Sequence, residues 1–163
     1  MMELENSMTA GWAPDELTSA LATLGYEGFA HLAGPAQPID PARVVAGALV
    51  HSNLDVRIVE ALPWVLATYH DLDWSWLISR CLLSNIQNRL GFLVALARSI
   101  SSASKLGTAL EQLERSRLSS EGTLCRDSMP AAEREWVRRN RSPEAKHWFL
   151  ITTLTVEQLS HAA

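Results

Sequence analysis

Several features that usually announce a function are scarce or missing in this chain. Only two cysteines occur, Cys81 and Cys125, with no CxxC pair and no Cys/His cluster beside them. This pattern excludes a disulfide scaffold and an ordinary structural zinc site, and it leads us to expect two reduced thiols. Long hydrophobic runs are absent. The densest stretch, Phe92–Ala97, is six residues, against the roughly 18–20 a membrane span needs. The opening MMELENSMTAGW is acidic and lacks the apolar stretch of a signal peptide. A cytoplasmic protein that does not engage membranes is the expectation. No glycine-rich phosphate loop and no Gly-x-Ser-x-Gly elbow occurs, so neither a cofactor nor a metal is expected.

What remains is an ordinary globular composition. The 163 residues are 47% hydrophobic and 20% charged, enough for one domain and one core. The net charge of -4 argues against a uniformly basic nucleic-acid binder, though not against a local basic patch. That charge is uneven: residues 1–60 carry eight acids against Arg43 and Arg57, and residues 99–163 carry nine bases against eight acids. Glycine and proline are also uneven. Six of the fifteen fall between Gly25 and Pro41, which marks a loop packed on the domain.

Helix signals dominate elsewhere. Pro14-Asp15-Glu16 starts a first helix with Leu17, Leu21 and Leu24 on one face. Asp40-Pro41 is a cap followed by proline at the first helical position, ahead of Val44, Val45, Ala48 and Leu49. Asp55 or Ser52 opens the next, with Val56, Val59, Leu62 and Leu66 in phase, and Pro63 predicts a kink or restart inside it. Asp73 caps a helix carrying Trp76, Leu77, Cys81 and Leu83. Ser84-Asn85-Ile86-Gln87 reads as a capping box before Leu90, Leu93, Val94 and Ala97. Leu106, Leu110 and Leu113 mark another helix. Ser119–Met129 is polar and irregular. Pro130 to Asn140, then Ser142-Pro143-Glu144, then the Thr155–Gln158 capping box start the last three. Ile151–Val156 is β-branched, but no partner strand is evident, so a helix end and turn are expected.

The class is therefore all-α: a compact array of seven to eight helices built from αα-hairpins. One helical domain covers 1–163, with a helix and Gly/Pro-rich loop in 1–40, a hairpin core in 41–118 and C-terminal helices in 119–163. A shift of 32 residues places Ser52-Asn53-Leu54-Asp55-Val56-Arg57-Ile58 on Ser84-Asn85-Ile86-Gln87-Asn88-Arg89-Leu90. Both copies read as helix, Ser-Asn turn, helix, with the serine capping the second helix. The period is that of stacked αα-hairpin repeats.

Few residues carry chemistry. Arg134, Arg138, Arg139, Arg141 and Lys146 form a basic cluster with Trp136 and Trp148 interleaved. It suits an acidic partner or phosphates, yet Glu133, Glu135 and Glu144 lie among the bases. His70-Asp71-Leu72-Asp73 has no second histidine at ligand spacing, and His31, His51 and His161 are isolated. Trp74 and Trp76 stand two apart on a helix, so one should turn from the local core. Tryptophan and arginine are the residues enriched at interface hot spots. Trp74, Trp76, Arg134, Trp136, Arg138, Arg139 and Arg141 are accordingly the candidate partner-binding residues.

Two family resemblances frame the function. Arg141 and His147, with five residues between them, resemble the Arg-x(4–6)-His motif of HEPN-type ribonucleases. That resemblance implies an RNA-cleaving pair. The blocks Arg57–Leu66, Asn88–Val94 and Glu135–Pro143 resemble bacterial helical antitoxins that partner nucleotidyltransferase toxins, in which an Arg-Leu-Gly-Phe/Tyr-Leu helix recurs. It implies a non-enzymatic protein that neutralises a toxin by binding it. The winged-helix start common in such antitoxins is not visible in residues 1–40. An acidic front suits a basic protein partner, such as a toxin or enzyme encoded nearby. The leading expectation is a protein-binding module. HEPN-like RNA cleavage and nucleic-acid binding are the alternatives.

Overall fold

A computed structural model describes residues 12–35 and 37–159; His161 and most of the acidic opening lie outside them. The regular structure among the described residues is almost entirely helical, and the all-α class holds. In chain order they form α1 (Pro14–Leu24), a 3-10 helix (Glu27–Leu32), α2 (Pro41–Leu49), α3 (Val56–Thr68), α4 (Trp74–Leu83), α5 (Gln87–Arg98) and α6 (Ser104–Arg115). Then follow β1 (Gly122–Thr123), α7 (Ala131–Asn140), α8 (Pro143–His147), β2 (Leu150–Ile151) and α9 (Val156–Leu159).

Local chemistry sets most of these boundaries. Asp40 accepts the N–H of Ala42 at 3.0 Å, Asp55 that of Arg57 at 2.8 Å and Asp73 that of Trp76 at 3.1 Å, so three aspartates cap α2, α3 and α4. Ser142 caps α8 through the N–H of Ala145 at 3.1 Å. Gln158 reaches back to the N–H of Thr155 at 3.1 Å, the reciprocal arm of a capping box. Gly25 closes α1 at φ 106, where the Tyr26 N–H bonds the Leu21 carbonyl at 3.0 Å. A side chain is strained at that φ.

The start of the Gly/Pro-rich loop is packed down, whereas residues 30–35 and 37–38 are exposed. Its 3-10 helix buries Phe29, and Tyr26 packs on Phe29 and Trp64, with ring centroids 5.7 and 5.4 Å apart. Tyr69 at the end of α3 donates to the Leu24 carbonyl at 2.5 Å. An aromatic cluster thus fastens the loop to α3.

Four expectations are corrected. Ser84 does not open α5. Asn85 takes φ 55, and the Ile86 N–H returns to the Cys81 carbonyl at 3.0 Å. The Ser-Asn pair therefore ends α4, because asparagine tolerates the left-handed region that such an end requires. Gln87, the supposed box partner, is buried and donates to the Ser116 carbonyl at 3.1 Å. Ser52 caps nothing either: its carbonyl accepts the Asp127 N–H at 2.8 Å. Of the kink or restart expected at Pro63, the restart does not occur: α3 runs from Val56 to Thr68 with Pro63 inside it. Finally, Ile151 has a strand partner. Leu150–Ile151 pairs in parallel with Gly122–Thr123, a segment whose two residues carry no strand pattern of their own.

Two hairpins do stack. Helices α2 and α3 form one, α4 and α5 the other; α2 packs on α4 and α3 on α5. Equivalent helices therefore face each other, as the 32-residue echo implies. The matched side chains diverge: the Arg57 guanidinium lies over the Phe29 ring at 5.4 Å, whereas Arg89 is drawn inside. Leucines on α6 cover the far side of α5, and α1 covers α2 and α3. One apolar cluster runs from Leu17 to Leu159, with a small satellite of Met129, Val137 and Ile151 under α7.

Candidate functional site

Two adjacent residues of α5 organise the irregular half of the molecule. The Asn88 amide donates to the carbonyls of Leu118 and Trp148, both at 3.0 Å, and accepts the Leu118 N–H at 2.8 Å. Arg89, whose side chain is 12% exposed, gathers more. Its Nε donates to the Thr123 carbonyl at 2.9 Å, and its Nη1 to the carbonyls of Leu49 and His51 at 2.7 and 2.9 Å. Asp127 lies 3.5 Å from its Nη2. A planar guanidinium has the several fixed donors this task needs. The end of α2, the turn after it and the 122–127 loop are all tied to one side chain.

Holding that loop creates a groove of about 690 Å³ between it, the start of α3 and the 151–154 segment that follows β2. Its surface includes the apolar residues Val59, Leu124, Met129, Ile151 and Leu154. Val56, expected on the buried face of α3, instead lines the groove at 61% exposure. Leu83 likewise stands exposed at the end of α4. Both sit at helix ends, where the apolar phase outruns the neighbouring helix. Cys125 also lines the groove, and burial pushes its thiol up to about 11 and that of Cys81 up to about 12. Both cysteines are free and buried.

The basic cluster lies beyond the groove on α7 and is largely neutralised. Arg138 holds Glu121 through two nitrogens, at 2.9 and 2.6 Å, and also contacts Glu135. Arg139 lies 3.8 Å from Glu135, and Arg126 grips Glu133 at 2.6 and 3.0 Å. Arg134 donates to the Asp127 carbonyl at 3.2 Å. Arg141 is 11% exposed and donates to the Leu150 carbonyl at 3.1 Å, so it braces β2. Trp136 is different: it stands 56% exposed on the same helix. Trp148, the other tryptophan of the tail, is buried against α5.

Trp74 and Trp76 are both half-buried against the core. The Trp74 indole N–H donates to the His70 carbonyl at 2.8 Å, and the Arg43 guanidinium of α2 lies over the Trp76 ring at 5.3 Å. They sit at the start of α4, apart in sequence from Trp136. Arg141 and His147 have separate partners. His147 pairs with Glu114 at 2.6 Å and its carbonyl accepts from Arg117 at 2.8 Å, while Arg141 points to β2; no hydrogen bond or ion pair joins the two. Among the described residues, no group of three or more His, Cys, Asp or Glu could hold a metal ion, and no helix is long and apolar enough to cross a membrane.

Comparison with known proteins gives no match. Neither a family model, nor a curated protein, nor a solved structure resembles the chain significantly. Function must be argued from the site itself.

Sequence reasoning missed the groove, because its walls come from three segments far apart in the chain. It also missed the role of Arg89, which the repeat singled out only as a match to Arg57. Glu121, lying in the polar stretch before α7, was not singled out either. Its carboxyl is held below the usual range, chiefly by the hydrogen bonds from Arg138 and despite some desolvation. A lowered native value stabilises the fold above the ordinary glutamate range near about 4.3. That contribution is lost as pH falls through the lowered value. Glu121→Gln should therefore lower the melting temperature modestly at pH 7, by a salt-sensitive amount. The variant should also lose less stability than wild type below about pH 4. Parallel stability-pH curves for the two proteins would exclude this assignment.

Proposed function

We propose that this protein is a non-enzymatic binding module whose target is another protein, with Trp136 as an anchor. The exposed indole on α7 carries the reading. A tryptophan more than half open to solvent leaves apolar area uncovered, and tryptophan with arginine is the combination enriched at hot spots. Arg138 and Arg139 are already paired with Glu121 and Glu135, which suits the polar rim of a protein interface better than a phosphate-binding stripe. The separate placement of Arg141 and His147 gives RNA cleavage no geometric support. An antitoxin-like role, with a cognate toxin as target, is the finer form of the proposal. Its support is the resemblance of the Arg57–Leu66, Asn88–Val94 and Glu135–Pro143 blocks.

Co-expression with the product of the adjacent gene tests the proposal. A single protein should co-purify in stoichiometric amount, and Trp136→Ala should weaken the complex about tenfold or more without changing the melting temperature. Failure of any protein to co-purify, or a complex indifferent to Trp136→Ala, overturns the reading.

A further inference from the structure

A second surface of this molecule has the shape of a recognition site. The groove beside α3 is concave, of a size suited to a few side chains, and largely apolar. Its exposed apolar wall is Val56. Three charged side chains also line it: Asp55, Glu60 and Arg126. The Arg126 guanidinium is held in a two-pronged pair by Glu133, so its charge is already met. Arg57, one turn from Glu60, is turned onto the Phe29 ring. The Asp55 carboxylate accepts a backbone N–H at the helix cap, which leaves its charge in place. The lining is thus apolar below and negative at the side of α3.

We propose that this groove binds an apolar peptide segment bearing a lysine or arginine, contributed by a partner protein. The charge complementarity selects that occupant. An acidic segment would meet Asp55 and Glu60, and a wholly apolar one would leave their field unused. The inference rests on the protein-binding reading above and extends it to a second contact, which reads the sign of the partner's charge. The 151–154 segment supplies one wall, so the ligand lies alongside it.

Selection of a random heptapeptide library on the full chain provides the test. The expected winners carry leucine, isoleucine, valine or phenylalanine with a lysine or arginine nearby. A synthetic winner should bind at least tenfold more weakly to Val56→Arg, which blocks and reverses the mouth. It should bind several-fold more weakly to Glu60→Gln, and more weakly as salt is raised. Val56 is exposed, so the first variant should keep the wild-type melting temperature. If that variant unfolds, amide shifts mapped by NMR on the wild-type chain locate the peptide instead. Acidic or uncharged winners, winners indifferent to both variants, or shifts away from the groove overturn the inference. Should Trp136→Ala still dissolve the partner complex in that case, only the groove assignment falls. If neither surface matters, the protein-binding reading falls with it.

Discussion

Gly91→Ala destabilises the protein by about 1–3 kcal/mol or more, although helix propensity alone points the other way. In an unhindered helix interior, alanine is favoured over glycine by roughly 1 kcal/mol. Gly91 lies in the middle of α5, and a Cβ there would fall within 3.0 Å of Cζ3, Cη2 and Cε3 of the Trp148 ring. The ring cannot withdraw cheaply. It is 2% exposed, and the Trp148 carbonyl is tied to Asn88 at 3.0 Å. Overpacking of this kind forces side chains off their rotamers. Gly107 in α6 is the internal control, since a Cβ there comes no nearer than 3.9 Å to another group. Gly107→Ala should stabilise by about 0.5–1 kcal/mol. Trp148→Leu should relieve part of the Gly91→Ala cost in a double-mutant cycle. Denaturant unfolding of wild type, the three single variants and the double variant decides the matter. A neutral or stabilising Gly91→Ala would show that α5 and Trp148 do not pack as described.

Arg89→Ala is expected to cost about 3–5 kcal/mol, with a melting temperature lower by roughly 10 °C. Its removal leaves the carbonyls of Leu49, His51 and Thr123 without their donor and opens a void beside Cys125, whose sulfur lies 3.6 Å from Nη1. Arg89→Lys should recover only part, because an ammonium cannot spread its donors across the same three carbonyls. Arg57→Ala, at the matching position of the first hairpin, should cost far less: Arg57 meets a ring face and no buried carbonyl is assigned to it. Thermal unfolding of the three variants separates these cases. Equal losses for Arg57 and Arg89 would contradict the hub. Because the 122–127 loop forms one wall of the groove, Arg89→Lys should also weaken peptide binding there at temperatures where the fold persists.

Helix starts were legible because their signals are local. An aspartate before a helix needs only the N–H groups two or three residues ahead, so Asp40, Asp55 and Asp73 could be placed from sequence. The Ser84–Gln87 pattern misled for the same reason. Residues that can cap a helix start can also occupy a helix end, and the choice depends on how tightly α4 and α5 must turn. The β-branched pattern at Ile151 was legible, but its pairing was not, because the partner is two residues of an otherwise polar stretch. That stretch is held in place by contacts from distant segments: Arg89 on α5, the backbone of Ser52 and Leu54, and Arg138 on α7.

Of the candidate binding residues, the sequence could name Trp136 but not distinguish it from Trp74, Trp76 or Trp148. All four look alike in a helical pattern. Exposure depends on which neighbours arrive: Arg43 comes to Trp76, the His70 carbonyl to Trp74, α5 to Trp148, and Trp136 remains open. The arginines behaved likewise. Their number, clustering and pairing with Glu135 three and four residues back are local, while the Glu121–Arg138 and Arg126–Glu133 pairs required the 119–129 stretch to fold back onto α7.

By itself, then, the sequence determined the all-helical class, the capped helix starts and the two hairpins that stack at a 32-residue interval. Each of these follows from apolar phase and from hydrogen bonds spanning a few residues. The tertiary structure alone decided the groove, the burial of Arg89, the solitary exposure of Trp136 and the close contact of Gly91 with Trp148. Those features join residues dozens of positions apart, and no local preference of either partner encodes the meeting.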